Sequence, residues 1–350
     1  MRRSLALARR GWGQTAPNPM VGAVVVRDGA IVGEGFHARF GEAHAEVRAL
    51  EAAGDRARGA TVLVSLEPCN HQGKTPPCAD ALIAAGVRRV LAATRDPGAT
   101  SGGGAERLRA AGIEVEFGLE EDEARELNAP FFYAATGVCR PWVTLKLAVS
   151  IDGAIPGASG APRWLTGQAS RRHVHRLRAQ ADAIAVGIGT VLADDPALTV
   201  RHGRRPRVAP LRVVLDRALR MPFASTLAKT ARRVPTLVLT ETADPERVAA
   251  LQAKGVLVER AEGLRGALEL LHARGVRSLF VEGGATLAAA LLAAGPVDRL
   301  IIFQAPVLLG PGALSPWQGT PAMERLRVVE RREFGEDVMT VYAVHELPLK

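Results

Sequence analysis

The chain has 350 residues, long enough for two domains, and its 47% hydrophobic and 23% charged residues are the composition of folded globular material. Aromatics make up only 4%, so the cores must be built from Val, Leu, Ile and Ala, and a platform for stacking nucleic-acid bases is disfavoured. The net charge of +9 comes from arginines scattered along the chain, which points first to a solvated surface, next to phosphate-bearing small molecules and last to nucleic acid.

At the N-terminus, residues 4–8 are too short for the apolar core of a signal peptide before Arg9 and Arg10 interrupt them. No apolar run approaches the ~20 residues of a membrane span. Three cysteines make no disulfide framework and suit a reducing compartment. The expectation is a soluble, cytoplasmic protein.

Residues 21–26 and 31–35, joined through Asp28-Gly29, read as a hairpin with a type I′ turn. Residues 44–53 have helical composition and stop at Gly54; 61–65 form a short strand, 78–85 a helix ended by Gly86, and 90–93 a strand. A helix over 105–110 and a strand over 114–117 follow. Strands alternating with helices indicate a layered α/β fold. A polar helix over 120–128 leads through Pro130 into Gly137-Val138-Cys139-Arg140-Pro141, the best boundary, dividing the chain into domains 1–139 and 140–350. Cys139 reads as a buried hydrophobe.

A second alternation then begins, with strands at 142–148, 183–186, 211–215, 236–239, 279–281 and 300–303. Helices fall at 168–179, 245–253, 264–273 and 285–293, and 338–344 is the closing strand. Arg201, Arg204, Arg205 and Arg207 mark an exposed loop between 199 and 210. Val281-Glu282-Gly283-Gly284-Ala285 is a strand running through a Gly turn into a helix, which suits a pyrophosphate but is by itself a weak signal.

The chemistry concentrates earlier. His44-Ala45-Glu46 opens one helix, Pro68-Cys69 follows a strand, and Cys78 opens the next helix after Pro76-Pro77. One imidazole and two thiolates are three zinc ligands, leaving a fourth position for water. Glu46, two residues beyond His44, can move that water's proton without binding the metal. A lone His at a helix start is usually a cap and a lone buried Cys usually core. A structural zinc site would want a fourth protein ligand, and only His71 stands at ligand spacing. The order H-x-E, P-C, C is the signature of zinc deaminases, but eight residues separate the cysteines here rather than two.

That insert, Asn70-His71-Gln72-Gly73-Lys74-Thr75-Pro76-Pro77, resembles the family of bifunctional deaminase–reductases of riboflavin biosynthesis. So do Pro17-Asn18-Pro19-Met20-Val21-Gly22, Lys146-Leu147-Ala148-Val149-Ser150, Gly189-Thr190-Val191-Leu192-Ala193-Asp194-Asp195-Pro196 and Val281-Glu282-Gly283-Gly284-Ala285-Thr286. The resemblance spans almost the whole chain. It implies a cytidine-deaminase-like three-layer α/β domain followed by a dihydrofolate-reductase-like one. It also implies hydrolytic deamination of a 2,5-diamino-6-ribosylamino-pyrimidinone 5′-phosphate at Zn2+, then NADPH reduction of the ribosyl side chain to ribityl, in a homo-oligomer.

The residues carried over are His44, Cys69 and Cys78 for zinc and Glu46 for catalysis, with Asn18, His71, Lys74 and Asp96 as deaminase substrate contacts. In the reductase they are Lys146, Arg178, Asp194, Leu198, Arg201 and Glu282 for substrate, Arg178 and Arg201 facing its phosphate. Ala148, Trp164, Thr166, Thr190, Gly283, Gly284, Ala285 and Thr286 are the cofactor positions. Two departures stand out: Gly98 where the family carries Asn, and Pro162 where related sequences often carry Ser. Alternative readings are a deaminase with an inactive reductase-like domain, or a nucleic-acid-directed deaminase.

Overall fold

The computed structural model describes residues 1–157, 164–242, 244–319 and 326–347, and these divide into two units, Met1–Val138 together with Leu347, and Cys139–Glu346. Pro162 lies outside the described residues. In the first unit, α1 (Arg2–Ala8) precedes the hairpin β1 (Gly22–Arg27) and β2 (Ala30–Phe36). Asp28 and Gly29 take φ of 49° and 77°, as a type I′ turn requires. Then come α2 (Ala45–Ala53), β3 (Thr61–Val64), α3 (Cys78–Ala84), β4 (Arg89–Ala92), α4 (Gly104–Ala110), β5 (Glu114–Glu116), α5 (Glu121–Leu127) and α6 (Ala129–Ala134).

The sheet order is β2-β1-β3-β4-β5, with β1 antiparallel to both neighbours and β3, β4 and β5 parallel. Its Val- and Ala-rich face shares one cluster with Ala45 and Ala49 of α2, Ala79 and Leu82 of α3, and Leu108 of α4. Leu5 and Ala8 of α1 cluster separately with Met20, Ala93 and Leu127. Helices therefore cover both faces, the three layers expected. Small residues set the spacing. A Cβ on Gly33 or Gly35 of β2 would fall 2.2 Å from Ala49 O or 2.3 Å from Ala45 O, so α2 lies directly on the strand.

Two elements here escaped the sequence reading. The short basic N-terminus folds as α1, which buries Leu5, Leu7 and Ala8. Pro130, read as part of a boundary, sits in the first turn of α6, where its missing N–H has no intrahelical role.

The second unit runs β6 (Trp142–Val149), α7 (Gln168–Arg178), β7 (Ala183–Gly187), α8 (Ile188–Asp194), β8 (Leu211–Leu215), α9 (Thr226–Lys229), β9 (Thr236–Thr240) and α10 (Pro245–Ala253). It continues with β10 (Leu257–Arg260), α11 (Gly263–Ala273), β11 (Ser278–Glu282), α12 (Ala285–Ala294), β12 (Arg299–Gln304), β13 (Arg327–Phe334) and β14 (Asp337–Ala343). The strand order is β10-β9-β8-β7-β11-β6-β12-β14-β13, parallel as far as β12 and antiparallel beyond. Central strands are buried on both faces, as in Ala183-Ile184-Ala185-Val186, which is why they read as continuous apolar runs. The edge strands β10 and β13 carry charges and little alternation and gave no strand signal.

One expectation is corrected: Cys139 is exposed. It stands where one unit passes into the next, with no core around it to bury a thiol. Residues 199–210 lie outside helices and strands, as read. Among the described residues, no helix is long and apolar enough to cross a membrane.

Candidate active sites

In the first unit, His44 is the N-cap residue of α2 and Cys78 the first residue of α3. Cys69 lies in the loop after β3. Cys69 Sγ is 3.6 Å and Cys78 Sγ 3.3 Å from His44 Nδ1, and the three ligand atoms lie within 4.8 Å of one another. A tetrahedral zinc with bonds of about 2.3 Å to sulfur and about 2.0–2.1 Å to nitrogen spaces its ligand atoms roughly 3.5–3.8 Å apart. The donor set and its spacing fit zinc.

The electrostatics agree. Hydrogen bonds from the Cys78 thiol and from His44 hold Cys69 down at about 4 against the opposing effect of burial. Cys69 in turn raises His44, and Cys69 together with burial pushes Cys78 up. Zinc binding requires the thiolate form of both cysteines. Glu46 is 3% exposed, and its Oε2 has no hydrogen-bond partner. Burial, reinforced by the Cys69 charge, raises its carboxyl to about 7. A proton carrier poised near neutrality stands beside the ligands.

A cavity of about 480 Å³ opens over this cluster, and Asn18, His44, Glu46, Cys69, His71, Lys74 and Asp96 all line it. Residues up to 78 positions apart on the chain are thereby brought to one wall-to-wall space. Lys74 Nζ lies 4.3 Å from the Phe40 ring centroid, a cation–π contact that holds the ammonium over the rim. His71 Nδ1 is buried without a partner.

The sequence reading missed several contributors. His37 is 2% exposed, with Nε2 3.5 Å from Asn18 Nδ2 and its ring edge-on to His44 at 5.0 Å. Burial, then the neighbouring His44, lowers its pKa. Phe40, Phe131 and Ser101 also line the cavity, and the Asn128 amide clamps both Met20 N–H (2.8 Å) and Met20 C=O (2.9 Å) just beyond Asn18. None lies in a motif, and only tertiary folding brings them to the site.

In the second unit, the expected positions Lys146, Ala148 and Glu282 lie toward the carboxyl ends of β6 and β11, and Thr190 on α8 just after β7. There β8 to β10 depart to one side and β12 to the other, the place where parallel sheets open a crevice. Lys146 and Glu282 are register partners on β6 and β11, with Nζ and Oε2 3.9 Å apart. Arg178, at the end of α7, forks onto Glu282 through Nε and through Nη2 (2.9 Å), and its Nη1 donates to Thr199 O at 3.0 Å. Burial pushes Glu282 up, but Arg178 outweighs it and holds the carboxyl below its usual range. Burial lowers Lys146. Of the five N–H donors of Arg178, three are engaged within the protein, two of them on Glu282.

Gly284 caps α12, and a Cβ there would lie 3.5 Å from Thr190 Oγ1 of α8; Gly283, Ala285 and Thr286 flank it. Ala148 stands near the end of β6, opposite Phe303. Trp164 is 56% exposed with Arg171 stacked 5.2 Å from its ring, and Arg171 also donates to Thr166 O. Asp194 ends α8 and is exposed, as is Arg201, whose N–H donates to His175 Nδ1 at 3.3 Å. Leu198 is different: it is 3% exposed with φ +46°. Its side chain belongs to the core around Val191 and Leu219, leaving only backbone groups for a ligand.

Comparison with known proteins matches both halves. The family model of the cytidine and deoxycytidylate deaminase zinc-binding region covers residues 1–94, and that of the RibD C-terminal domain residues 141–340. The chain is 42% identical over 348 residues to the riboflavin biosynthesis protein RibD of Aquifex aeolicus, covering 98% of this chain and 97% of that one. Two solved structures match 98% of this chain and 97% of their own length, each with a TM-score of 0.84. One is Acinetobacter baumannii RibD, at 38% identity. The other, at 35%, is a Thermotoga maritima protein described as a diaminohydroxyphosphoribosylaminopyrimidine deaminase/5-amino-6-(5-phosphoribosylamino)uracil reductase. Matched in both halves and along nearly its whole length, the chain belongs to the RibD family of riboflavin biosynthesis enzymes, which join a zinc-dependent deaminase to an NADPH-dependent reductase.

Proposed function

We propose that residues 1–139 deaminate a 2,5-diamino-6-ribosylamino-pyrimidinone 5′-phosphate and that residues 140–350 reduce the ribosyl group of the product to ribityl. The observation that carries the first step is Glu46, a buried carboxyl with an unpartnered oxygen, raised to about 7 beside three zinc-type ligands. His44, Cys69 and Cys78 would hold the metal. Zinc in that place lowers the pKa of a water toward neutrality. Glu46 would carry one proton from the attacking water to the departing nitrogen while the second ends on the ring nitrogen, so that N=C–NH2 and water become HN–C=O and ammonia. Asn18, His71 and Asp96 orient the pyrimidine and its sugar, and Lys74 faces the phosphate.

In the second domain NADPH supplies the hydride. Gly283, Gly284, Ala285 and Thr286, with Ala148, Trp164, Thr166 and Thr190, cradle the dinucleotide. Lys146 and Glu282 face the reacting sugar, with Asp194, the Leu198 backbone and Arg201 around the rest of the substrate. Arg178 acts through Glu282, and its two remaining N–H groups face the phosphate. We place the enzyme in the cytoplasm as a homo-oligomer, dimeric or larger. Unpaired Cys69 and Cys78 suit a reducing compartment.

The test assays both activities on one preparation of measured zinc content. Ammonia release from the diaminopyrimidine substrate and NADPH oxidation on the deaminated product are both expected. Deamination without NADPH oxidation would leave the second domain a structural partner and sink the reductase reading.

A further inference from the structure

The loop between β4 and α4 is fastened by hydrogen bonds that converge on Asp96. Glu67, 4% exposed, accepts from Asp96 N–H (3.1 Å) and from Ala105 N–H (2.9 Å), so one carboxylate holds both ends of the loop. Inside it, Gly98 N–H donates to Asp96 Oδ1 at 2.8 Å and Gly102 N–H to Gly98 O at 2.9 Å. Asn70 N–H donates to Ser101 O at 3.0 Å, which ties the loop to the residue after Cys69. The Ser101 hydroxyl stands on the same side of the loop as the Asp96 carboxylate and favours its charged form against the opposing effect of burial. It does so from the space that a side chain at 98 would occupy: a Cβ on Gly98 would lie 2.2 Å from Ser101 Oγ and 3.0 Å from Asp96 Oδ1. Asp96, Gly98 and Ser101 all line the deaminase cavity.

We propose that Ser101 is a positioning residue of the deaminase, its hydroxyl, seated in the room left by Gly98, fixing the Asp96 carboxylate as acceptor for a hydroxyl or amine donor of the substrate. The proposal rests on the reading of Asp96 as a substrate contact. A carboxylate held by a backbone N–H on one oxygen and by a hydroxyl donor keeps one orientation, with its other lone pairs turned to the cavity. Without the hydroxyl the carboxylate turns more freely, and binding weakens while the proton transfers at Glu46 do not.

The experiment measures KM and kcat for ammonia release by the full-length zinc enzyme, with zinc content, in Asp96→Asn, Ser101→Ala, Ser101→Thr and Gly98→Ala. Ser101→Ala is expected to raise KM about tenfold with kcat changed less than about twofold, the size of one hydrogen bond to a charged group. Ser101→Thr, which keeps the hydroxyl, restores KM. Gly98→Ala reproduces the KM of Ser101→Ala, because its methyl takes the hydroxyl's place, and combining the two adds nothing further. An unchanged KM in Ser101→Ala beside a raised KM in Asp96→Asn overturns the role of Ser101 and leaves the deaminase reading standing. Loss of zinc or of kcat in Ser101→Ala makes the residue structural and overturns the proposal as well. An unchanged KM in Asp96→Asn removes the substrate contact itself, and the proposal with it.

Discussion

Glu46 owes its chemistry to where it is kept. A carboxyl in water is ionised at neutral pH and poor at returning a proton; burial raises this one, toward the range where it can both take and give. Glu46→Gln preserves shape and leaves the three ligands untouched, but an amide cannot accept the proton. Ammonia release should fall by about 10²–10⁴-fold, the usual worth of general acid–base catalysis, with zinc content unchanged by metal analysis; retained deamination would take Glu46 out of the mechanism. Two histidines of α7 make a second prediction. Burial, then neighbouring arginines, lowers His173 and His175 from 6.5 to about 4, and His173 packs against Phe303 and Phe334. Between those values the unfolded chain binds more protons than the folded one, so stability rises with pH through the window and is lost as pH falls from about 6.5 to about 4. His173→Phe should flatten that dependence, measured as denaturant midpoints across the window; an unaltered slope would show that His173 does not titrate so. At this scale spacing singled out His44, Glu46, Cys69 and Cys78, and the resemblance added His71 and Lys74; the structure brings His44, Glu46, Cys69, His71 and Lys74 to one cavity. His37, Phe40 and Ser101 were not legible, since each reaches the cavity from a segment with no spacing relation to the metal loop.

The elements that carry the deaminase site are placed by what is missing from β2. Gly33 and Gly35 let α2 rest on the strand, and the first turn of that helix bears His44 and Glu46. A methyl on Gly35 would meet Ala45 O at 2.3 Å and Ala49 N at 2.5 Å, backbone atoms that cannot swing aside. Gly35→Ala should therefore cost about 1–3 kcal/mol, the range for overpacking, and weaken zinc binding as α2 lifts. Thermal melts and competition with a chelator read the two effects. Gly29→Asn serves as control: its position is open, at φ +77°, a conformation Asn tolerates, and zinc affinity should hold. If Gly35→Ala leaves zinc affinity unchanged, the close contact of β2 and α2 does not set the ligand geometry. Most helices and inner strands were readable within a residue or two, because apolar periodicity and terminal glycines mark them. The failures have common causes. Proline in a first turn disguised α6, and the edge strands β10 and β13 have too little buried surface to impose a pattern on their side chains.

At the scale of the whole molecule, two successive strand–helix alternations made two α/β units legible, but not the strand order. That β11 inserts between β6 and β7 depends on contacts across 96 residues to β7 and 136 to β6, which no local pattern encodes. The two units have separate cores: the clusters of the first draw on residues up to Leu127, and those of the second begin at Val143. Each core is closed by its own sheet, so the loss of metal from one unit should not unfold the other. Cys78 is fully buried at the start of α3, and a serine there offers a hard, protonated oxygen where zinc wants a thiolate. Cys78→Ser is therefore expected to lose zinc and ammonia release while NADPH oxidation on the deaminated product stays within about twofold, an additivity expected of independent sites. Stripping zinc from the unaltered enzyme with a chelator should give the same split, with ammonia release returning on zinc addition. Loss of both activities in Cys78→Ser, or in the stripped enzyme, would mean that the two units stand or fall as one cooperative body, whatever their separate cores.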